Sequence, residues 1–467
     1  MNTLLLSTYE LGHQPLALAW PLAALQRAGF PAQAVDLAVE PFPEDAARIA
    51  GLIAISVPMH TALRLGVQAA RRARAINPAA HLCFYGLYAQ LNADYLFDSG
   101  LADSVISGEI EDPLLELVQT LTGPALSGAE GGRAPRGLRG VSLAESRSPS
   151  SLTHWDFPIP KRDTLPALDQ YAQLAINGGT RLAGYTEASR GCLHTCTHCP
   201  VVPIYKGRFF AVPVEIVLAD VRQQVQAGAR HITFGDPDFL NGPTHALRIA
   251  RALHAEFPAL TFDFTAKVEH LLAHRRLLPE LVACGAIFAI SAFESTSDAV
   301  LARLNKGHTL ADMDTALEIC AAALLPLQPT WVAFTPWTTL DDYLHMLTWI
   351  WERGLVLNVP PVQYAVRLLI PPGSLIIRDL SGFQNLTGLK LVPENFAWQW
   401  AHPDRCMDEL HERVTRLVET ERGCDRVETF DKIERLAGEM GGRAPLGVSH
   451  PPVNPAHPPR LTEDWFC

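Results

Sequence analysis

No apolar run in this chain approaches the ~20 residues that span a bilayer, so no membrane-crossing helix is expected and no membrane partner. The start, Met1–Tyr9, lacks the charged flank and small-residue cleavage site of a secretory signal and reads as a strand, which makes a cytoplasmic protein the expectation. Positive charge is short: 38 Lys and Arg against 49 Asp and Glu leave a formal charge of −11. Phosphate contacts need a basic face, so nucleic acid is not an expected partner, although a local basic pocket for a small anion fits the balance. Cysteine is also too sparse, nine in 467 residues, for a disulfide framework. Cys83, Cys284 and Cys320 lie in apolar stretches and read as core, because free cysteine packs like a small hydrophobe. Cys406, Cys424 and Cys467 stand in a polar C-terminal region.

What is present is length, with 48% hydrophobic and 19% charged residues, enough for two or three domains. Residues 1–120 alternate short apolar runs with amphipathic segments, the pattern of a parallel sheet with crossover helices. Strands are expected near Thr3–Thr8, Gln33–Val39, Leu52–Val57, His81–Tyr85 and Asp103–Ile106, with helices near Leu16–Ala28 and Thr61–Ile76. Residues 121–154, rich in Gly, Ser, Ala, Pro and Arg, read as a mobile linker. A second alternating series within residues 155–385 predicts strands at Tyr185–Ser189, His231–Phe234, Thr261–Ala266, Ile287–Ala292, Thr330–Phe334 and Gln363–Leu369, hence a partial (β/α)6 barrel. Residues 386–467 read as a small helical region, with a helix near Asp408–Glu421, followed by a proline-rich tail. The fold class is α/β throughout.

The chemistry concentrates in Ser189-Arg-Gly-Cys-Leu-His-Thr-Cys-Thr-His-Cys199. One loop spaced Cys-x3-Cys-x2-Cys can wrap three corners of a cubane, and thiolates are the normal ligands of iron–sulfur clusters. Cys192, Cys196 and Cys199 would thus hold a 4Fe–4S cluster with one iron open. The competing zinc site, completed by His194 or His198, is less apt: zinc ligands usually come as two separated pairs, and this loop sits at a barrel strand end, where active-site loops belong. Lys267 follows a barrel strand and is either a point charge for a carboxylate or a solvated lysine at a helix start. Arg367 lies in an apolar segment and needs an anionic partner, either a ligand or a neighbouring acid. Asp238 is a substrate contact or a turn cap. Lys206 and Arg208 either close over a ligand or are surface residues. His13, after the first strand, is read first as a structural residue and second as a ligand contact at the edge where such sheets bind ligands.

These motifs resemble the radical S-adenosylmethionine (SAM) superfamily, over about Trp155–Leu380. The resemblance implies reductive cleavage of SAM, with His198 against the adenine, Gly235 and Asp236 in Phe234-Gly-Asp-Pro-Asp-Phe239 near the methionyl amine, and Ser291 and Glu294 at the ribose. The N-terminal pattern resembles the doubly wound domain that binds cobalamin in many of these enzymes, although no Asp-x-His-x-x-Gly cobalt-ligand segment occurs. Tyr185-Thr-Glu-Ala-Ser-Arg-Gly-Cys192, Cys199-Pro-Val-Val-Pro203, Asn241-Gly-Pro-Thr-His245, Pro58-Met-His-Thr61 and Tyr85-Gly-Leu-Tyr88 narrow the likeness. They resemble the radical SAM proteins named for a Cys-Sec-Ala-Glu-Pro or Cys-Cys-Ala-Glu-Pro tail, a family that includes the arsinothricin-biosynthesis enzyme. That likeness implies transfer of a 3-amino-3-carboxypropyl group to arsenite, a small-molecule acceptor held by soft thiols such as Cys406, Cys424 or Cys467. It also implies a reductase or flavodoxin as electron donor. The sequence given stops at Cys467, the first residue of such a tail. The alternatives are a cobalamin-dependent radical SAM methyltransferase and a non-catalytic metal-binding or sensor protein.

Overall fold

The computed structural model describes residues 1–123, 137–153, 156–176, 178–378, 388–444, 446 and 457–463. The first sheet is built from β1 (Thr3–Ser7), β2 (Ala32–Asp36), β3 (Leu52–Ser56), β4 (His81–Tyr85) and β5 (Ser104–Ile106), parallel in the order β2-β1-β3-β4-β5. Every residue of β1, β3, β4 and β5 is buried, which explains their continuous apolar runs: helices cover both faces. Helices Leu16–Arg27 and Glu111–Thr122 pack on one side and His60–Ile76 on the other, each with its own apolar layer. Strand order reverses between β1 and β3, so the crevice where such sheets take ligands opens at their carboxyl ends. A short β6 (Val141–Ser142) pairs antiparallel with β5. It falls inside the stretch read as linker, of which residues 124–136 and 154 lie outside the described residues.

The second sheet begins with an antiparallel hairpin of β7 (Gln173–Ile176) and β8 (Gly179–Thr186). Next, β9 (Ser189–Gly191) and β10 (Phe209–Ala211) pair around the cysteine loop. Then β11 (His231–Phe234), β12 (Thr261–Thr265), β13 (Ala286–Glu294) and β14 (Leu327–Trp331) run parallel to β8. A hairpin of β15 (Lys390–Val392) and β16 (Ala397–Gln399) follows, and β17 (Arg460–Leu461) pairs antiparallel with β7. The order β14-β13-β12-β11-β8-β7-β17 is a curled half-barrel. The strand expected over Gln363–Leu369 is reduced to one bridge, Arg367 to Phe334, after a 3-10 turn at Pro361–Ala365. The proline-started 3-10 turn takes up Gln363–Ala365, which leaves only Val366–Leu368 to meet Phe334. Helices Arg405–Thr420 and Arg426–Met440 pack together below this edge, each with an Asp N-cap, Asp404 and Asp425. No helix among the described residues is long and apolar enough to cross a membrane.

Two arginines join the sheets. Arg162 binds the Asp220 carboxylate, Gln14 Oε1 (2.7 Å) and the Tyr185 carbonyl (2.6 Å). Arg190, on β9, meets Glu109, Glu111 and Glu187 at 3.1, 2.8 and 2.6 Å, and its guanidinium lies over the Trp20 and Phe157 rings.

Candidate active site

The carboxyl ends of β8, β11, β12 and β13 lie side by side, and the cysteine loop leaves from the first of them. Gly191, at φ +79°, precedes Cys192; a Cβ there would overlap the Tyr205 ring and the Arg208 carbonyl oxygen, so only glycine allows the loop to turn this tightly. Cys196 is buried, Cys192 and Cys199 half-buried. Val201, Ile204 and Tyr205, on the short helix that follows, pack against Cys192 and Cys199 together with Leu87 and Leu91 of the N-terminal domain. Burial pushes the Cys192 thiol up to about 11 and Cys199 to about 12. Bare, these thiols stay protonated; metal binding displaces the protons. Three soft donors from one loop in an apolar shell fit an iron–sulfur cluster.

The loop is held from several sides. Asp236 is 2% exposed and spends both oxygens on its base, accepting from the Ala188 N–H (2.8 Å) and Ser189 Oγ (2.6 Å). Burial raises its carboxyl to about 7. Asn241 Oδ1 accepts from the Leu193 N–H at 3.2 Å. The Thr197 N–H and Oγ1 donate to the carbonyls of Leu304 (3.0 Å) and Arg303 (2.9 Å), and its own carbonyl accepts from Ser374 Oγ (3.0 Å) and the Ile376 N–H (3.0 Å). Gly235 has a packing role: a Cβ would run into the Tyr185 ring.

Two charged groups flank the loop. On one side Asp238, fully buried, accepts from the N–H groups of Leu240 (2.9 Å) and Lys267 (3.1 Å), and its Oδ2 lies 2.9 Å from His270 Nδ1 and 3.6 Å from His194 Nε2. Neither histidine atom is aligned as a hydrogen bond. The two histidines and these backbone donors hold the Asp238 carboxyl below its usual range, against burial, which alone would raise it. His194, Asp238 and His270 bring ligand atoms within 4.8 Å of one another, a set that resembles a metal site. Lys267 Nζ, however, stands 3.2 Å from His194 Nδ1 and 3.1 Å from Glu269 Oε2, and an ammonium there opposes a second cation.

On the other side Glu294, at φ +66°, closes β13 and pairs with Lys306 Nζ at 3.0 Å, with His198 Nε2 at 3.4 Å. Both partners of the Glu294–Lys306 pair are almost fully buried, and burial is outweighed by the Lys306 charge and the His198 contact, so the carboxyl is held far below its usual range. Ser291 Oγ and His198 Nδ1 are buried without a hydrogen-bond partner.

The remaining sequence candidates lie elsewhere. Arg367 is a structural residue: its guanidinium binds Asp408 (2.8 Å) and the Trp400 carbonyl (2.9 Å) and stacks over the Trp400 ring, 3.7 Å from its centroid. Of its two expected partners, the neighbouring acid is the one it meets in this structure. Cys406 lies in the first turn of the helix Arg405–Thr420, its N–H donating to the Asp404 cap. Cys424 is exposed after its far end, lining a cavity with Gly178–Thr180 at the start of β8, the end away from the cysteine loop. Cys467 lies outside the described residues. Lys206 and Arg208 are exposed on the surface rather than closed over the mouth. Sequence reasoning missed Lys306, Asn241, His270 and Arg190. The only signal for Lys306 was a lysine set in an apolar neighbourhood after Leu301 and Leu304.

The family model of the Radical SAM superfamily matches residues 186–335, which contain the loop and both flanking groups. The loop and its flanking groups therefore lie in the part of the chain that is similar to that superfamily. Curated relatives include the ribosomal protein uS12 methylthiotransferase RimO of Ectopseudomonas mendocina, 27% identical over 225 residues, 42% of this chain and 48% of the relative. RimO of Pseudomonas putida is 26% identical over the same share. The chain spans about half the length of the curated relatives it matches. Among solved structures, the cobalamin-dependent SAM radical enzyme OxsB, with aqua-cobalamin and SAM bound, superposes with a TM-score of 0.71 over 90% of this chain and 67% of that one at 15% identity. The radical SAM methyltransferase TsrM from Kitasatospora setae, with cobalamin and a [4Fe-4S] cluster bound, does so with a TM-score of 0.65 over 94% and 88% at 13% identity. At such identities the likeness is one of fold: a doubly wound domain followed by a radical SAM barrel.

Proposed function

We propose that the chain is a radical SAM enzyme that cleaves SAM reductively and passes the resulting radical group to a small-molecule acceptor. The observation that carries this is the cysteine loop between two buried polar clusters of opposite task. Cys192, Cys196 and Cys199 would hold the 4Fe–4S cluster, which when bound and reduced supplies one electron to the sulfonium. Asp238, with His194 and His270 beside it, suits the SAM ammonium, and Lys267 its carboxylate. Glu294, kept ionised by Lys306, suits the ribose hydroxyls, with Ser291 Oγ and His198 Nδ1 the other open atoms. Asp236 holds the loop base through the Ala188 N–H and Ser189 Oγ and keeps a free acceptor site on each oxygen, so it stays a candidate for the methionyl amine beside Asp238. The test is anaerobic reconstitution with iron and sulfide, then SAM and dithionite. 5′-Deoxyadenosine marks cleavage toward the adenosyl group and methylthioadenosine cleavage toward the 3-amino-3-carboxypropyl group; neither product from a fully iron-loaded protein overturns the reading.

A second reading, cobalamin-dependent methyl transfer, is favoured by the β2-β1-β3-β4-β5 domain and by the fold shared with OxsB and TsrM. The crevice in this structure does not fit a corrin. About 600 Å³ is open between Glu10, His13, Tyr171 and Glu463. That volume suits a drug-sized ligand, for which ~300–1,000 Å³ is usual, and a corrin with its nucleotide tail is far larger. His13, the residue nearest to a cobalt ligand, is stacked on Tyr185 at 4.3 Å. Cobalamin dependence therefore requires the two domains to separate there, and the visible spectrum of the protein after cobalamin loading decides it. The narrower reading with arsenite as acceptor draws on the motif resemblance alone; among the described residues no second thiol pair accompanies the cysteine loop.

A further inference from the structure

The turn that follows helix Asp298–Arg303 is laced into the cysteine loop on both sides of Cys196. Asn305 Nδ2 donates to the Thr195 carbonyl at 3.0 Å, and the Leu304 carbonyl accepts from the Thr197 N–H at 3.0 Å. Asn305 (φ +52°) and Gly307 (φ +73°) both take left-handed backbone, and a Cβ on Gly307 would run into the Glu269 carboxylate. Between them Lys306 is turned inward: it is 3% exposed, less than Lys267 on the other flank at 8%. Lys306 Nζ and His198 Nε2 meet the same oxygen, Glu294 Oε1, at 3.0 and 3.4 Å, and His198 is the residue before Cys199. Burial opposes the Lys306 charge, but the Glu294 carboxylate and the Cys196 and Cys199 sulfurs outweigh it and hold the ammonium charged. Burial likewise raises the Cys199 thiol, and Lys306 is one of the groups that draw it back. A buried cation thus stands on the Cys196–Cys199 side of the loop.

We propose that Lys306 raises the reduction potential of the cluster that Cys192, Cys196 and Cys199 would hold, by fixing a positive charge beside its sulfurs. The inference rests on the cluster assignment and goes beyond it, to how readily the site takes up its electron. Uptake moves one electron from a low-potential reductant, dithionite in the experiment below, onto the cluster. No bond forms or breaks and no proton is needed, so the site becomes more negative by one charge. A neighbouring cation stabilises that added charge, and net charge near the sulfurs is one of the factors that spread iron–sulfur potentials. Burial makes the effect large, because charges out of water are screened far less than exposed ones. Glu294 acts with the opposite sign. Removing the cation therefore lowers the potential and removing the anion raises it, whereas a loosened loop would shift both variants the same way.

The experiment uses the full chain, reconstituted anaerobically with iron and sulfide and kept free of SAM. Electron paramagnetic resonance follows the reduced cluster through a potential titration of wild type, Lys306→Met, Lys306→Arg, Glu294→Gln and Lys306→Met/Glu294→Gln. Iron content and circular dichroism confirm intact protein. Lys306→Met is expected to lower the midpoint by about 59 mV or more, a tenfold change in the one-electron equilibrium. Lys306→Arg keeps the charge and stays with wild type, and Glu294→Gln moves upward. The double variant lies below Glu294→Gln by the same step, a comparison that stands even if Lys306→Met alone does not hold its fold. Equal midpoints within these two pairs overturn the role of Lys306 and leave the cluster standing. Shifts of the same sign in Lys306→Met and Glu294→Gln mean a loosened loop and overturn it too. A wild type that binds no iron and gives no such signal overturns the cluster assignment itself, and the inference with it.

Discussion

The two parallel sheets finish their carboxyl edges in opposite ways. At the N-terminal sheet most polar groups are consumed by protein: Glu109 and Glu111 by Arg190, Asp36 by the Tyr171 hydroxyl at 2.9 Å, Tyr9 by Glu463 at 2.6 Å, and the His13 ring by Tyr185, with Glu111 Oε1 alone of these left without an aligned hydrogen bond, 2.8 Å from Arg190. At the barrel mouth His194 Nε2, His198 Nδ1, His270 Nδ1 and Ser291 Oγ are buried without hydrogen-bond partners. A buried polar atom left so costs about 1–3 kcal/mol, and a fold tolerates several in one place when a ligand satisfies them in the working state. One edge has become an interface, while the other retains the chemistry. The same topological position therefore does not predict the same use, and the partners of the edge residues decide.

The comparison breaks most completely at the cysteines. Cys192→Ala, Cys196→Ala and Cys199→Ala should each abolish SAM cleavage and remove most bound iron, measured by product chromatography and iron assay. Full iron loading in any of them would mean the mouth is not a cluster site. The next largest effect is expected at Lys306. Lys306→Met strands the buried Glu294 carboxylate, and breaking one partner of such a pair costs about 3–5 kcal/mol. Denaturant unfolding should show that loss, and adding Glu294→Gln should restore most of the stability while SAM affinity stays low. If the double variant binds SAM like wild type, Glu294 is a structural acid and the open edge is smaller than argued.

Much of this was legible in the sequence, for reasons that also explain the failures. Strands such as His81–Tyr85 and His231–Phe234 are short apolar runs bounded by turns, and they fall where the periodicity puts them. The three cysteines announce their chemistry through spacing alone. Gln363–Leu369 misleads because it is apolar like a strand, while a 3-10 turn started by the prolines just before it takes up its first half. Asp236 shows what a position cannot: at a strand end it also ties down the loop base through the Ala188 N–H and Ser189 Oγ, a second task that nothing local signals. Lys306, Asn241 and His270 were out of reach because their roles arise from contacts to residues 12 to 49 positions away. The β17 pairing with β7 joins segments almost 290 residues apart, and nothing local signals it.

At the closed edge the sharper test is pH. Three carboxylates share one guanidinium, and burial pushes Glu111 up to about 7 from 4.5. A carboxyl raised on folding binds more protons in the native state, so its contribution is complete below pH 4.5 and is lost as pH rises through about 7. The loss amounts to up to about 3 kcal/mol between these limits. Glu111→Gln keeps the shape and removes the titration. The wild type should therefore lose stability from pH 5 to 7.5 relative to the variant, read by urea unfolding at fixed ionic strength. Parallel pH profiles would show that Arg190 already holds all three acids ionised and that the interface carries no proton.

The smallest expected effect separates a site residue from a scaffold residue. Arg367 was a candidate for a ligand carboxylate, yet it ends on Asp408, the Trp400 carbonyl and the Trp400 ring. The ion pair is partly exposed, with about a quarter of the arginine side chain open to solvent, which limits it to about 0.2–1 kcal/mol; the ring contact adds a similar amount. Arg367→Gln should therefore lower stability by about 1 kcal/mol, and by less at high salt, because screening weakens what remains. Its KM for SAM and its rate of dithionite-driven cleavage should match wild type. A several-fold rise in KM with unchanged stability would place Arg367 at the open edge after all, with Asp408 as its resting partner, released when the ligand arrives.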